Sequence, residues 1–350
     1  MLFRMSNDHV GVGFSALAAT LPVVIYLFVI YRFDRYEREP WWLVLLTFLY
    51  GAIGAIILGV VLSLVVIAAA GKGDDFSFGA SIVAPLCEEP SKALFVYLLL
   101  LTRHFDNTTD GLIYGAASGL GFAMTENFLY FASSADAGME QWQQVVILRS
   151  LFSALMHCAA TATFGAILGR FRYRGGTKQW LLAPLVGLAL AMTLHAAFNT
   201  ALVQSAMQGD EQVAYLGFGL VPIAALTLFA LTMISLGREH RMLAAELREE
   251  ATVGIIPMEH ANILPFHRKR WKAGWLDPRI DKKRYIQAAT LLAFRKWQSK
   301  LPAGRRYDVA NELVSLRKEV AYLLRAARDP GPPPGGPPPM QGGPYYPPPN

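Results

Sequence analysis

Residues 79–101, "GASIVAPLCEEPSKALFVYLLLL", place two adjacent carboxylates and an ammonium (Glu88, Glu89 and Lys92) inside an otherwise apolar run. About 20 mostly apolar residues are enough for a helix to cross a bilayer. Ionisable side chains inside the hydrocarbon are costly and mark a functional site by default. The stretch therefore predicts a membrane-spanning helix that carries chemistry. A buried structural salt bridge is the alternative interpretation of these residues.

The composition of the whole chain also favours a membrane protein. Of the 350 residues, 53% are hydrophobic and only 17% are charged, whereas soluble domains are about 25% charged. Two cysteines, Cys87 and Cys158, are too few for a disulfide framework or a cysteine-rich metal site. Residues 1–237 hold 12 basic and 15 acidic residues, and residues 238–350 hold 20 and 11. An apolar part is thus followed by a basic tail.

Hydropathy predicts an all-α fold, a polytopic transmembrane helical bundle of about seven spans. The second and fifth spans are long enough to be tilted or broken. The first span is too long for the apolar core of a removable signal peptide, and no A-x-A-like site follows it. The predicted spans are residues 11–32, 41–70, 77–101, 110–133, 142–170, 180–206 and 212–237.

Lysines and arginines in short loops predict the orientation, because cytoplasmic loops carry an excess of them. Three arginines lie in loop 32–40, Arg103 lies in loop 102–109, and three basic residues lie in loop 171–179. The alternate loops hold only Lys72. We therefore expect the N-terminus outside and the C-terminus in the cytoplasm of a multi-pass cell-membrane protein.

Composition divides the chain into three predicted regions: a transmembrane domain (1–237), a basic cytoplasmic helical region (238–328) and a Pro/Gly-rich tail (329–350) expected to be disordered or in a polyproline II conformation. The last of these could bind a polyproline-recognising partner. The basic-aromatic segment "FHRKRWKAGW" suits contact with anionic lipid, and we expect no nucleic acid. A heptad-like spacing predicts a helix able to pair with another, through Val309, Leu313, Leu316, Val320 and Leu323.

Polar side chains recur in four consecutive spans at similar depth. Counted at 1.5 Å per residue from the outer ends, Glu88, Glu126, His157 and His195 lie roughly 10 to 22 Å deep. Asn199 follows His195 by one helical turn, so the two share a face, as do Glu88 and Lys92. Glu89 points about 100° away and needs a partner elsewhere. The four helices can therefore bring these groups into one cavity.

Two features of the sequence allow a cavity to form there. Pro90 lacks an N–H and disturbs the helix beside the carboxylates, which suits access of water. Gly115, Gly119 and Gly121 in the fourth span allow neighbouring helices to approach closely.

Two carboxylates, two histidines and an amide can activate a water molecule and stabilise an oxyanion, which is the chemistry of peptide hydrolysis without a covalent intermediate. No cofactor is needed for this preferred mechanism. In a second mechanism, His157, His195 and a glutamate hold a zinc ion with an open coordination position. A third hypothesis is a non-enzymatic scaffold or transporter that uses the same layer structurally.

The pieces that carry these residues resemble the PrsW family of intramembrane proteases, in the larger group that includes the CAAX prenyl proteases and bacteriocin-processing enzymes. They are "EEPSK" (88–92), "GFAMTEN" (121–127), "ALMHCAATATFG" around His157, and "HAAFN" (195–199). The loop "DRYEREPWW" (34–42) is also similar to the corresponding loop of PrsW proteins. Together the pieces cover residues 30–200.

The resemblance implies roles for individual residues. Glu88 would activate water, and His195 with Asn199 would form the oxyanion hole, with Glu89 and Lys92 beside them. The prenyl proteases have a histidine where this chain has Glu126, so the partner in water activation is either Glu126 or His157. PrsW-like proteins are often labelled metalloproteases, so glutamate and zinc mechanisms both stay open.

The resemblance also implies a substrate and a setting. The substrate would be a membrane-anchored protein cut near the outer face, such as a transmembrane anti-sigma factor in a bacterial stress response. The partners expected are therefore this substrate and the lipid bilayer.

Overall fold

The computed structural model describes residues 2–102, 104–172, 177–301 and 309–325, which form helices and no strands. The predicted all-α fold is therefore confirmed. The α-helices are α1 (Leu2–Tyr31), α2 (Trp41–Leu49), α3 (Ile56–Ala70), α4 (Phe76–Phe78), α5 (Ala84–Leu100), α6 (Thr108–Ser134), α7 (Met139–Leu148), α8 (Ala154–Phe171), α9 (Thr177–Gln208), α10 (Glu211–Thr252), α11 (Met258–Ile263), α12 (His267–Arg270), α13 (Lys282–Ser299) and α14 (Val309–Arg325).

Short π-helical segments interrupt the membrane helices at three places in the described chain: Tyr50–Ala55, Gly79–Val83 and Arg149–Ser153. Two of these lie inside the long second and fifth predicted spans. A π-helical turn shifts the hydrogen-bond ladder from i→i−4 to i→i−5, and such turns occur frequently at functional sites. The segments at 79–83 and 149–153 directly precede the helices that carry Glu88 and His157.

Among the described residues, five helices are long and apolar enough to cross a membrane: Gly11–Tyr31, Trp41–Ala70, Met139–Phe171, Trp180–Gln208 and Glu211–Thr252. The chain is thus a multi-pass membrane protein, as predicted. The predicted spans 77–101 and 110–133 are outside this set. The first holds three charged residues, and every residue of the second from Asp110 to Ala123 is buried. A helix shielded by protein need not be strongly apolar, so the count of seven and the orientation stay predictions.

The chain divides into two compact units. The membrane unit comprises Met1–Asp34 and Trp41–Met233, and the tail unit comprises Arg35–Pro40 and Ile234–Asn350. The last span was predicted to end at residue 237, but α10 continues without interruption to Thr252. Its last four turns have an apolar face, with Leu243 and Leu247 in the core of the tail unit.

Helices α6 and α8 of the membrane unit pack backbone against backbone. A Cβ atom on Gly115 would lie 2.4 Å from the carbonyl oxygen of Thr161, and one on Gly119 would lie 2.3 Å from that of His157. Gly121 faces α2 in the same way. The close approach predicted from these glycines is therefore present, and it sets the distance between the two helices that carry Glu126 and His157.

The tail unit has a hydrophobic core of its own. Helix α14 packs against α13 and buries Leu316, Val320 and Leu323. The helical partner predicted from the heptad-like spacing thus lies in the same chain. Tyr285 and Leu292 of α13 are fully buried beneath it. The predicted Pro/Gly-rich tail at 329–350 lies outside the described residues.

Residues 35–40, which connect two membrane helices in sequence, belong to the tail unit. Glu37 forms an ion pair with Arg295 of α13 at 3.2 Å. The buried Arg270 donates hydrogen bonds to the carbonyl of Arg35 and to the hydroxyl of Thr290. No pattern in the sequence indicated that this loop contributes to the fold of the tail.

The fully buried Glu250 of α10 makes a pH-dependent contribution to the stability of the tail unit. Arg317 of α14 contacts its carboxylate at 2.7 Å and Lys296 of α13 at 2.9 Å. Burial raises the pKa of Glu250, but the hydrogen bonds and charges of Arg317 and Lys296 outweigh burial and leave the pKa below its ordinary value of 4.5. The carboxylate therefore stabilises the tail unit above that value, and the stabilisation is lost as the pH falls through the lowered pKa.

Replacing Glu250 by glutamine is expected to destabilise the tail unit by about 2 kcal/mol near neutral pH, since Arg317 loses a charged partner and Lys296 loses one of the carboxylates that it contacts. Hydrogen exchange of the α13 and α14 amides in the full-length protein measures this. The loss should shrink as the pH is lowered. Glu319→Gln serves as the control, because the Glu319–Arg284 pair is more exposed to solvent and should be worth no more than about 1 kcal/mol. Equal effects of the two substitutions would contradict the assignment.

Candidate functional site

Helix α5 presents the two carboxylates of the opening stretch to one buried ammonium. The Nζ atom of Lys92 lies 2.8 Å from Oε1 of Glu89 and 3.3 Å from Oε2 of Glu88. It also lies 2.8 Å from Nδ1 of His157 and 3.8 Å from the ring centroid of Phe122. Lys92 is fully buried. A buried cation is retained when it is paired, and here all three ammonium hydrogens have acceptors.

Of the two carboxylates on α5, Glu89 is the one that accepts hydrogen bonds at both oxygens. Its Oε1 accepts from Lys92 and from Nδ1 of His195, both at 2.8 Å, and its Oε2 accepts from the Thr161 hydroxyl at 3.2 Å. Glu89 was expected to need a partner on another helix, and it has one on α8 and one on α9. It also contacts the same lysine as Glu88. The i,i+3 contact with Lys92 is shorter than the i,i+4 contact of Glu88, although only the latter was predicted.

Glu88 makes fewer hydrogen bonds than Glu89 and is more exposed. Its side chain is 16% exposed, compared with 1% for Glu89. One oxygen, Oε2, contacts Lys92 at 3.3 Å and lies 3.9 Å from Nε2 of His195. Within the described part of the chain, no hydrogen bond reaches its other oxygen. Glu88 thus keeps an oxygen free to bind a water molecule or a substrate group.

His157 connects Lys92 to a third carboxylate. Its Nδ1 faces the Lys92 ammonium at 2.8 Å, and its Nε2 lies 2.8 Å from Oε2 of Glu126. Since an ammonium can only donate, Nδ1 is the acceptor and the ring hydrogen lies on Nε2, where it is donated to Glu126. Both nitrogens of this buried ring are therefore occupied by protein partners.

His195 and Asn199 lie side by side on α9, as predicted. The Nδ1–H of His195 donates to Glu89, so its Nε2 carries the lone pair and faces Glu88 at 3.9 Å. The Asn199 amide donates to this Nε2 at 3.2 Å and to the carbonyl of Ala80 at 2.9 Å. The ring of His195 is thus held between two glutamates and an amide.

The π-helical segment before α5 explains why Ala80 needs the asparagine. The N–H of Ala84 bonds the carbonyl of Gly79, which is the i→i−5 spacing. The next residue in that ladder is Pro85, which has no N–H for the carbonyl of Ala80. The Asn199 amide supplies the missing donor, so the irregular turn ties α9 to the start of α5.

Arg149 is a member of the site that was not among the predicted site residues. One guanidinium nitrogen lies 2.7 Å from Oε2 of Glu126, and Nε donates to the Asn127 amide oxygen at 2.9 Å. The guanidinium carbon lies 3.6 Å from the ring centroid of Tyr130. The arginine lies inside the predicted fifth span, five residues before the first residue of the helix that carries His157, but no role was assigned to it from the sequence. Thr161, one helical turn after His157, was also missed.

The structure brings all six predicted site residues and the supporting Lys92 into one hydrogen-bonded network. Three carboxylates (Glu88, Glu89 and Glu126) face two cations (Lys92 and Arg149), and the two histidine rings lie 4.9 Å apart. Charges in a low-dielectric interior persist when they are paired and hydrogen-bonded. The roles assigned to the residues stay predictions, but the convergence on which they depend is present.

The same residues include a set of donors for a metal ion. One atom each of Glu88, His157 and His195 can be chosen so that all lie within 4.8 Å of one another. Two imidazoles and one carboxylate are a common ligand set of catalytic zinc. The bond from His195 to Glu89 is the kind of carboxylate contact that orients a zinc-binding histidine. The set therefore fits zinc in donor type and spacing, although His157 would exchange its bond to Lys92 or Glu126 on binding it.

Comparison with known proteins identifies one family. Residues 39–230 match the family model described as "PrsW family intramembrane metalloprotease". The "Protease PrsW" of Clostridioides difficile is 30% identical over 186 residues, which cover 52% of this chain and 76% of the relative. The proteins of the same name from Geobacillus kaustophilus and Bacillus subtilis are 29% and 27% identical, covering 52% of this chain and 76% and 79% of theirs.

No solved structure matches the chain at a significant level. The family match covers more than half of the chain and includes every residue of the network described above. The chain belongs to the PrsW family and is a multi-pass intramembrane protease.

Proposed function

We propose that Glu88 is the general base of this protease and activates the water molecule that attacks a peptide bond. The observation that carries the proposal is the difference in hydrogen bonding among the three carboxylates. Glu89 accepts hydrogen bonds at both oxygens. Glu126, like Glu88, keeps one oxygen without a hydrogen bond among the described residues, but its Oε2 is held at 2.7 and 2.8 Å by Arg149 and His157. Glu88 is held more loosely, by Lys92 at 3.3 Å, and no hydrogen bond from the described residues reaches its other oxygen. That oxygen is available for the proton of water.

The reaction then proceeds with a single carboxyl carrying the proton. Glu88 accepts a proton as the water oxygen bonds to the peptide carbon, and it returns this proton to the leaving nitrogen as the C–N bond breaks. Lys92 orients the carboxylate throughout. The oxyanion can take the place of His195 Nε2 as the acceptor of the Asn199 amide, because a charged oxygen is the stronger acceptor. His195 holds the Asn199 amide beside the site, because its Nε2 accepts from that amide at 3.2 Å.

A zinc-dependent mechanism is the second candidate, because the donor set of Glu88, His157 and His195 fits the metal. A zinc ion held there would polarise the peptide carbonyl and lower the pKa of water. The protein groups would keep the ligands in place: Glu89 through His195, and Glu126 and Lys92 around His157. We favour the glutamate mechanism because both nitrogens of His157 already have partners and Lys92 already contacts the carboxylates of Glu88 and Glu89.

Removal of metal ions separates the two candidates. Purified protein in lipid vesicles, with a single-span reporter in the same membrane, is expected to retain cleavage within about twofold after chelation, since no step of the glutamate mechanism needs a metal. Elemental analysis before and after chelation shows what was removed. Loss of cleavage that zinc restores would transfer the proposal to the second candidate. Absence of cleavage by the untreated protein in every lipid mixture would contradict both.

The substrate we propose is a membrane-anchored protein, such as an anti-sigma factor of a bacterial stress response, cut in the outer half of the bilayer. The support is the family membership and the predicted depth of the polar layer.

We also propose that the exposed basic and aromatic residues of 266–272 in the tail unit contact anionic lipid heads. Phe266 and Trp271 are exposed there, beside Arg268, Lys269 and Lys272. The proposed polyproline-binding partner concerns residues outside the described ranges.

A further inference from the structure

We propose that Arg149 is a positioning residue of this protease: by holding Glu126 it fixes the orientation of His157 in the catalytic network. The inference rests on the proposed function, because it assigns a role within the same site. Arg149 touches neither Lys92 nor Glu88 directly. Its influence passes through Glu126 and His157, which are its connection to the carboxylate that activates water.

The contacts of Arg149 all converge on one turn of α6. Its guanidinium pairs with Glu126 at 2.7 Å, donates through Nε to Asn127 at 2.9 Å and lies over the ring of Tyr130 at 3.6 Å. The Asn127 amide in turn lies 3.4 Å from the backbone carbonyl of Arg149. An arginine has a planar fork that can make an ion pair, a hydrogen bond and a ring contact at once, and a lysine does not.

One oxygen of Glu126 transmits this arrangement to His157. Oε2 lies 2.7 Å from the Arg149 guanidinium and 2.8 Å from Nε2 of His157. Lys92 donates to Nδ1 and thereby keeps the ring hydrogen on Nε2. With Oε2 of Glu126 fixed, this N–H has one acceptor in one place, so the ring keeps the orientation in which Nδ1 faces Lys92. The order cation, carboxylate, imidazole, ammonium therefore runs from Arg149 to Lys92, and the last group contacts Glu88 at 3.3 Å.

The position of Arg149 also explains the π-helical segment in which it lies. The N–H of Ala154 bonds the carbonyl of Arg149 at the i→i−5 spacing, so the helix carries an extra residue between Arg149 and His157. An extra residue rotates the side chains before the turn by about 100° relative to those after it. The turn thus lets Arg149 and His157 approach the same carboxylate from one continuous helical run.

Steady-state kinetics on the membrane reporter provide the first test. Arg149→Gln is expected to lower kcat by about tenfold or more with KM unchanged within about twofold, because the catalytic network and not substrate binding is disturbed. Arg149→Lys should recover at least about a third of the wild-type kcat, since a lysine keeps a positive charge beside Glu126. In the Glu126→Gln background, Arg149→Gln should cause little further loss, because both act through one group. A raised KM with normal kcat, or fully additive losses, would overturn the proposal.

Nitrogen NMR of histidine-labelled, chelator-treated protein provides a readout that does not depend on cleavage. The His157 signals, assigned by their loss in His157→Gln, should show hydrogen on Nε2 in wild type and in Arg149→Lys. In Arg149→Gln the hydrogen should stay on Nε2, because Lys92 still donates to Nδ1, but the Nε2 signal should shift and broaden as the bond to Glu126 loosens. Unchanged His157 signals in a folded Arg149→Gln protein would overturn the proposal even if its activity fell.

Arg172→Gln is the control, since Arg172 is another arginine of the membrane unit, more deeply buried than Arg149, whose guanidinium bonds the carbonyl of Thr102. It is expected to lower thermal stability without changing the kcat of the folded fraction or the His157 signals. A kcat loss equal to that of Arg149→Gln would show a general effect of removing a buried arginine. Glu88→Gln is measured in parallel: if it cleaves like wild type, the proposed function fails, while the NMR result still decides the positioning role.

Discussion

Replacing Glu88 by glutamine is expected to lower the rate of peptide cleavage by a factor of about 100 to 10,000, the range that a general base contributes. The amide has nearly the same shape as the carboxylate and can still accept a hydrogen bond from Lys92, so the bundle should stay folded. It cannot take a proton from water. In cells, the membrane proteins that the wild type cuts should therefore accumulate uncut, and comparison of the two membrane proteomes would identify them.

The neighbouring carboxylate provides the control for this prediction. Glu89→Gln removes a charge that Lys92 and His195 contact at 2.8 Å in a fully buried position. Because buried ions left without a partner are costly, its main expected effect is a loss of thermal stability of about 3 kcal/mol or more. Glu88→Gln should melt close to wild type, since Glu88 is partly exposed. If Glu88→Gln cleaves at the wild-type rate in a folded protein, Glu88 is not the base.

Much of the membrane part of the fold could be predicted because a bilayer permits few solutions. Long apolar runs have to be helices there, since every backbone group must be bonded internally. The tail was harder. Its loop at 35–40 makes an ion pair through Glu37 with Arg295, which is far away in sequence, and such long-range pairings leave no local pattern. The continuation of α10 to Thr252 was missed because hydropathy ends a span where charges begin, whereas a helix has no reason to stop there.

The candidate site was predictable to the extent that ionisable residues in spans are rare. Four site residues could be found in this way, because an ionisable side chain inside an apolar span is costly and indicates a function. They are Glu88, Glu126, His157 and His195. Their pairing was not predictable, since helix spacing alone says which side chains share a face and not what lies opposite. The difference between Glu88 and Glu89 depends on contacts from α8 and α9.

The second large effect is expected from a single methyl group at Gly119, which lies on α6 and contacts no reacting group. A Cβ atom there would lie 2.3 Å from the carbonyl oxygen of His157 and 3.1 Å from the Cα of Cys158. Both neighbours are backbone atoms of α8, so neither can rotate away. The two helices must separate, which we expect to cost about 3 kcal/mol, at the upper end of the range for an overpacked core.

Separation of α6 from α8 should also remove activity in the fraction that stays folded. Glu126 is on α6 and His157 is on α8, and their 2.8 Å hydrogen bond crosses this contact. A shift of a few tenths of an ångström or more weakens a bond of that length and loosens the hold on Nδ1 of His157. Gly119→Ala is therefore expected to lower both the melting temperature and the cleavage rate, measured on the same purified sample.

Gly219→Ala separates this steric effect from the general effect of replacing a helical glycine. Gly219 lies in α10 of the membrane unit, and an added Cβ atom would meet nothing within 4 Å. Because alanine has the higher helix propensity, that variant should be as stable as wild type or more so. Wild-type stability and cleavage in Gly119→Ala would mean that α6 and α8 are not held at the distance described here. The network of Glu126 and His157 would then have to be maintained by Arg149 and Lys92 alone.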